Sequence, residues 1–148
     1  MRRKDREMDQ EFAWEVIDRS QYGVLACVTP TGSPYAVPLS LARDGSRLFF
    51  HSAAAGSKVD YLADGQEVAL TFVSHVQVPE LFTPEELTGM LNDPEAGSIL
   101  GSKVFTTEFE SACVQGRVYE LTDAAEKVFG LRCICEKFTP DKMVFFEG

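Results

Sequence analysis

Basic side chains are scarce in this sequence. Lys and Arg number 14 against 23 Asp and Glu, a formal net charge of −9, and four of the 14 (Arg2, Arg3, Lys4 and Arg6) crowd into the first six positions. Beyond that hexapeptide the balance is ten cations against 22 carboxylates, or −12. Such a surface repels nucleic acid and anionic membrane rather than steering toward them. The basic hexapeptide is too short to reverse that balance as a nucleic-acid arm. No apolar run approaches the roughly 20 residues of a membrane span, and no hydrophobic stretch follows the basic start as it would in an export signal. A cytoplasmic protein with neither nucleic-acid nor membrane partner is expected.

Histidine and cysteine are also sparse. Two histidines, His51 and His75, and four scattered cysteines make neither a disulfide framework nor a zinc site, so no metal is expected. Cys27 and Cys113 lie in apolar, strand-like runs and read as small buried hydrophobes. Cys133 and Cys135 are two apart on an expected helix, so they point roughly 200° apart and cannot chelate one ion together.

What is present is a globular composition: 148 residues, 45% hydrophobic, 11% aromatic and 25% charged, enough for one domain over 1–148 with a core of its own. The most informative stretch runs from Leu48 to Leu62, where strand-like Leu48-Phe49-Phe50-His51-Ser52 passes through Ala53-Ala54-Ala55-Gly56 into Ser57-Lys58-Val59-Asp60. Ser57 is placed to cap a helix, with Asp60 three residues on as a capping-box variant. Free N–H groups beside Lys58 would then receive an anion. An ordinary strand-to-helix turn with a solvated lysine fits the same spacing.

The rest of the chain reads as follows. Asp9 caps a first helix with Phe12, Ala13, Val16 and Ile17 on one stripe, and Gly23 lies past its end. Trp14 is off that stripe and suits core or interface packing. Tyr22 to Val28, Tyr35 to Ala42 and Arg47 to Ser52, separated by turns at Thr29-Pro30-Thr31-Gly32 and Arg43-Asp44-Gly45-Ser46, predict a three-stranded meander. A fourth strand spans Glu67 to Val78 and is stopped by Pro79, with His75 in a structural role inside it. Glu80 to Lys103 reads as a partly helical excursion, with a helix start at Pro84. A strand from Val104 to Leu121 bends at Gly116. Asp123 and Glu126 cap a helix with Val128, Leu131, Cys135 and Phe138 on its core face, ended by Pro140, and Met143 to Phe146 forms the last strand. Six mostly antiparallel strands with helices at the gaps predict closure into a barrel, which removes exposed edges.

Several of these segments together resemble the FMN-binding split-barrel proteins related to pyridoxamine 5'-phosphate oxidase, and most of all their nitroimidazole-resistance branch. The resemblance rests on the opening Met1-Arg2-Arg3-Lys4-Asp5-Arg6, on Pro34-Tyr35-Ala36-Val37-Pro38-Leu39, on Phe50-His51-Ser52-Ala53 with Gly56-Ser57-Lys58, and on Thr106-Thr107-Glu108-Phe109-Glu110-Ser111. The excursion is longer than the usual loop of those proteins. The resemblance implies a mainly β fold with flanking helices (α+β), a six-stranded antiparallel split β-barrel of Greek-key type. It implies a homodimer with FMN in a cleft at the subunit interface, acting on a small-molecule substrate. The cofactor-binding positions it implies are Val37, Pro38, Leu39 and Ser40, then Phe50, His51 and Ser52, the phosphate turn Gly56, Ser57 and Lys58, and Ser111. Ser57 stands where Arg is common among such proteins.

His51 lines that site, either as a hydrogen-bond partner of the cofactor or as the catalytic proton donor, for which an imidazole is suited. Pyridoxamine phosphate oxidases grip their substrate with a late Arg and His, and Lys142-Met143-Val144-Phe145-Phe146-Glu147-Gly148 offers neither. The expected activity is therefore a flavin-dependent oxidoreduction resembling nitroimidazole reduction. The alternative is a flavin- or haem-binding module without turnover, in storage, sensing or haem handling, with His51 as an axial ligand.

Overall fold

The computed structural model describes residues 4–78, 82–90, 93, 95–101 and 107–146. Arg2 and Arg3, the expected strand stop at Pro79, Pro94, and the expected strand opening at Val104 to Thr106 lie outside them. The elements are α1 (Gln10–Arg19), β1 (Gly23–Val28), β2 (Pro34–Leu39), β3 (Ala42–Asp44), β4 (Arg47–Phe49), α2 (Ser57–Tyr61), β5 (Glu67–Gln77), α3 (Pro84–Met90), α4 (Ala96–Ile99), β6 (Glu108–Arg117), α5 (Ala124–Phe138) and α6 (Met143–Phe146). They fall into two compact units, 1–74 with 111–148, and His75–Glu110.

In the larger unit, the Asp9 carboxylate accepts the Phe12 N–H at 2.9 Å and starts α1. One stripe of that helix buries Val16 and Ile17 completely. The Ser20 hydroxyl, also buried, donates to the carbonyls of Val16 and Val73, which ends the helix against β5. The main sheet has the order β2-β1-β5-β6, with β1 antiparallel to both β2 and β5. Register sorts its faces. Gly23 stands between Leu39 and Phe72, and Leu25 between Val37 and Leu70, on the core side. Val24 stands between Pro38 and Thr71, and Ala26 between Ala36 and Ala69, on the other. A side chain at Gly23 has no room, because a Cβ there would lie 2.5 Å from the Phe72 ring.

β3 and β4 make a separate antiparallel hairpin around Gly45, whose φ of 58° is open to glycine at little cost. The expected meander is corrected here. Leu39, Leu41 and Ala42 are all buried, and neighbours 41 and 42 cannot both face inward from one straight strand. The chain turns at Ser40, and the hairpin packs under α5 instead of extending the sheet. The last expected strand is also corrected: Pro140 opens a short 3-10 turn, Pro140–Lys142, that runs into helix α6 over Met143–Phe146. The fold is thus mixed α+β with antiparallel sheets of four and two strands, which do not close into a barrel among the described residues.

Two further readings change. The Asp123 carboxylate accepts the Glu126 N–H at 2.9 Å and starts α5 as expected. Its buried face, however, is Gly130 and Ile134, with Phe138 half-buried on the same cluster and Cys135 half-buried as expected, while Val128 and Leu131 are 56% and 42% exposed. Gly130 decides this, because its missing side chain lets the Phe49 ring come within 3.0 Å of where a Cβ would be. Near the C-terminal end of α5 the Lys137 ammonium donates to the carbonyls of Ile17 and Leu41, both at 2.9 Å, tying helix, hairpin and α1 together. Burial pushes that ammonium's pKa down, against the pull of Asp18. Cys27 is buried, and burial pushes its thiol up. Cys113 is exposed, because β6 turns Ala112 inward and its neighbours outward.

The smaller unit holds the excursion. Thr83 and Glu86 form a reciprocal capping box at α3, with the Thr83 N–H on the Glu86 carboxylate at 2.7 Å and the Glu86 N–H on the Thr83 hydroxyl at 3.3 Å. His75 has a φ of 49°, unusual for a non-glycine residue, and its Nδ1 lies 3.1 Å from a Glu110 carboxylate oxygen.

Candidate functional site

The residues expected around a cofactor come from two segments, β2 and the stretch between β4 and the end of α2. Strand alternation divides the first. Leu39 is buried and Val37 half-buried in the core, whereas Pro38 and Ser40 are exposed. The side chains of Val37 and Leu39 are therefore spent on packing, and in this register their backbone groups face β1, so neither position is open to a ligand at the sheet edge. β2 is an edge of its sheet. Proline cannot donate to a ladder, so Pro34 and Pro38 fit without a lost bond where their register points to the open edge. That arrangement turns the carbonyls of Pro34, Ala36 and Pro38 outward as acceptors.

The second segment leaves β4 at Phe49. Phe50 packs half-buried on the main core, and His51 and Ser52 are exposed. The Ser52 hydroxyl donates to the Ala53 carbonyl at 3.1 Å. The cap of α2 is corrected: it is Gly56, not Ser57. With φ at 115°, Gly56 adopts a conformation that a side chain would strain, and its carbonyl accepts the N–H groups of Val59 and Asp60 at 2.8 and 3.1 Å. Ser57 becomes the first helical residue, and Asp60 falls one position too late for a capping box. No side chain caps the helix, so the N–H groups of Ser57 and Lys58 are left for solvent or a ligand. Lys58 is half-buried and forms no ion pair among the described residues.

The two segments meet. The rings of Tyr35 on β2 and Tyr61 on α2 stack edge to face with centroids 5.1 Å apart, and Tyr35, Val37, Phe50 and Leu62 all pack on the same core. Behind them the Gln66 side chain accepts the Ala63 N–H at 2.9 Å and donates to the Val28 carbonyl at 2.7 Å, fixing the exit of α2 against β1. Tyr35, Tyr61 and Gln66 were not among the expected site residues. The signal available was a tyrosine at each end of the two motifs.

Ser111 does not join them. It is exposed on β6, the sheet edge opposite β2, three inter-strand steps or roughly 14 Å across. Within one chain Pro38, Ser40, His51, Ser52, Gly56 and Ser57 of the expected site are exposed. One shallow groove of about 580 Å³ is lined by Ala26, Val28, Glu67, Ala69, Gln115 and Arg117 on the outer sheet face. A cleft of about 420 Å³ lies among Asp18, Arg43, Asp44, Cys133 and Lys137. Neither is lined by an expected site residue. Among the described residues no group of three or more His, Cys, Asp or Glu is placed to hold a metal, and no helix is long and apolar enough to cross a membrane.

The residues present fit a phosphate-bearing cofactor in one respect that the fold itself supplies: an uncommitted lysine beside uncapped N–H groups, next to an aromatic pair and an acceptor-lined strand edge. Solved structures share this fold. At 20% identity and a TM-score of 0.66, 90% of the chain matches 68% of a Bacteroides thetaiotaomicron protein proposed to confer 5-nitroimidazole antibiotic resistance. An FAD- and haem-binding protein from Mycobacterium smegmatis matches at 19% and 0.66 over 93% of this chain and 58% of its own. A flavocytochrome from Azotobacter vinelandii matches at 21% and 0.66 over 92% and 54%. The chain thus spans little more than half the length of the latter two. No curated protein matches the sequence. The profile of the pyridoxamine 5'-phosphate oxidase family matches residues 9–84, which is 76 of the 148, and the chain belongs to that family.

Proposed function

We propose that this chain is a cytoplasmic, homodimeric flavoprotein, a single split-barrel domain that holds FMN at the subunit interface and reduces a small-molecule substrate, as nitroimidazole reductases do. The observation that carries the reading is the convergence of β2 with the α2 turn, where Lys58 stands uncommitted, in a member of this family. The Lys58 ammonium, the Ser57 hydroxyl and the N–H groups of Ser57 and Lys58 hold the phosphate. Gly56 gives it close approach. Of Val37, Pro38, Leu39 and Ser40, the exposed Pro38 and Ser40 lie along the ring and Val37 and Leu39 hold the strand in place, with Phe50, His51 and Ser52 opposite. FMN supplies the one- and two-electron chemistry; the chain binds it, orients it and keeps water from it. His51, exposed and without a hydrogen-bond partner among the described residues, is the proton donor to the reduced substrate.

An open site within one chain, and Ser111 at the far sheet edge, support a site completed by a second subunit. The outer sheet face supports this as well: Val24, Ala26, Ala36, Pro38 and Ala69 form an apolar patch suited to an isologous contact. Ser111 then reaches the cofactor of the partner. A second reading, a haem- or flavin-binding module without turnover, draws support from the same exposed His51 and from the haem named in one of the similar structures. The absorption spectrum of the purified protein tests the haem form of that module, with flavin bands expected and a Soret band favouring the module, and a flavin-loaded protein inert toward every nitro compound tried favours its flavin form. Fluorescence titration tests the phosphate site: FMN binds and riboflavin binds much more weakly. Equal affinity refutes the assignment of Gly56, Ser57 and Lys58.

A further inference from the structure

The stretch from His51 to Tyr61 is thinly attached. Phe50 before it and Leu62 after it pack on the main core, but between them only Lys58 and Tyr61 are half-buried and the other residues are exposed. Within the stretch lies α2, five residues long with no buried residue and no side-chain cap. An isolated helix shorter than about 12–15 residues is marginal in water, so a single turn persists only where tertiary contacts hold it. Among the described residues, hydrogen bonds and ring contacts join this stretch to the rest of the chain at one point, Tyr61. Its ring meets that of Tyr35 edge to face, with centroids 5.1 Å apart and planes at 73°, and its carbonyl accepts the Cys27 thiol at 3.9 Å. Tyr35 is itself fixed, because it stands opposite Cys27 in the β1–β2 register and packs half-buried on the core. Residues three apart share a helix face, so Lys58 lies on the same side as Tyr61, one turn earlier. The Leu62 N–H donates to the Lys58 carbonyl at 3.1 Å, which couples the two ends of that turn. Freeing the Tyr61 ring therefore frees Lys58 and, beside it, Ser57.

We infer that the Tyr35–Tyr61 pair positions the phosphate-binding groups and so sets how strongly the chain prefers a phosphorylated flavin to an unphosphorylated one, a role that rests on the flavin reading above. Neither ring has to touch the ligand. The pair acts by preorganisation, because Lys58 and Ser57 then meet the phosphate already in place and are not ordered at the moment of binding. The ring end of the ligand is held independently of α2: Pro38 and Ser40 belong to β2 and its exit, and His51 and Ser52 adjoin the anchored Phe50 at the other end of the stretch. Loss of the aromatic contact thus falls on the phosphate alone.

The experiment titrates FMN and riboflavin, by flavin fluorescence, against wild type, Tyr61→Ala and Tyr61→Phe. Tyr61→Ala is expected to bind FMN about tenfold more weakly, as for loss of an aromatic pair with its buried area, while its riboflavin affinity changes less than about twofold. Tyr61→Phe keeps the ring and is expected to bind FMN within about twofold of wild type. Tyr35→Ala is expected to match Tyr61→Ala, and the double variant to lose no more than about twofold beyond either, because each substitution removes the same contact. Tyr35→Leu replaces Tyr35→Ala if the smaller side chain unfolds the strand. In the flavin-free protein, the Asp60 and Leu62 N–H groups donate to the Gly56 and Lys58 carbonyls, and their hydrogen exchange is expected to be at least about fivefold faster in Tyr61→Ala. Equal losses for FMN and riboflavin, an FMN affinity that Tyr61→Ala leaves unchanged, a loss in Tyr61→Phe as large as in Tyr61→Ala, additive losses in the double variant, or unchanged exchange at Asp60 and Leu62 each overturn the inference. A protein that binds neither flavin instead overturns the flavin reading, and the exchange still judges whether the pair holds α2.

Discussion

Adding one methyl group at Gly23 tests the packing on which the whole sheet depends. Gly23 is the point where β1 passes between Leu39 and Phe72, and its substituent would lie 2.5 Å from one Phe72 ring carbon and 2.9 Å from the Leu41 methyl. Both neighbours are 1% exposed, so neither can swing aside into solvent. Overpacking of this kind costs about 1–3 kcal/mol. Alanine recovers about 0.4–1 kcal/mol by restricting the unfolded chain. The expected net loss for Gly23→Ala is about 1–2 kcal/mol, which lowers the melting midpoint of a chain this long by roughly 3–8 °C. Gly130→Ala is the comparison. Its added Cβ meets the Phe49 ring at 3.0 Å, a milder contact, and a helix-interior Gly→Ala gains about 1 kcal/mol in propensity. That variant should fall within about 0.5 kcal/mol of wild type. Thermal unfolding by circular dichroism measures both. A Gly23→Ala protein as stable as wild type would refute the close approach of β1 to Phe72 and Leu41.

Three other substitutions address the site and the helix tie. Lys58→Glu replaces a charge-assisted bond by repulsion and should weaken FMN by ~2 kcal/mol or more, read by fluorescence titration against riboflavin as control. His51→Ala should leave FMN affinity within a few-fold and slow nitro-group reduction by ~100-fold if the imidazole is a general acid; parallel loss of occupancy and rate would reduce it to a cofactor contact. Lys137→Met leaves the Ile17 and Leu41 carbonyls without their donor and should cost about 2 kcal/mol in denaturant unfolding. Because burial holds the Lys137 pKa below its ordinary 10.5, the unfolded chain binds the extra proton between the two values, so wild-type stability gains a rising contribution with pH across that interval. Lys137→Met should lack it.

Local signals in this chain were legible. Asp9 and Asp123 cap the helices they precede, the strands β1, β5 and most of β6 follow apolar runs, and Pro84 opens a helix, because caps, turns and period-2 patterns act over a few residues. The Phe50–His51 and Gly56–Lys58 motifs were among those that pointed to the family the chain belongs to. Decisions that depend on distant residues were not legible. Whether Ser57 or Gly56 caps α2 turned on a glycine at φ 115°, which the sequence permits but does not require. The core face of α5 could have been Val128 and Leu131 or Gly130 and Ile134, and only the Phe49 ring, 81 positions before Gly130 in the chain, chose the second. Four residues of one apolar composition, Met143–Phe146, became a helix because Pro140 and Thr139 set the turn before them. Strand pairing was decided in the same way: the burial of adjacent Leu41 and Ala42 broke a continuous pattern and sent the hairpin under α5, because packing energy belongs to surfaces that meet in space and not to neighbours in the chain.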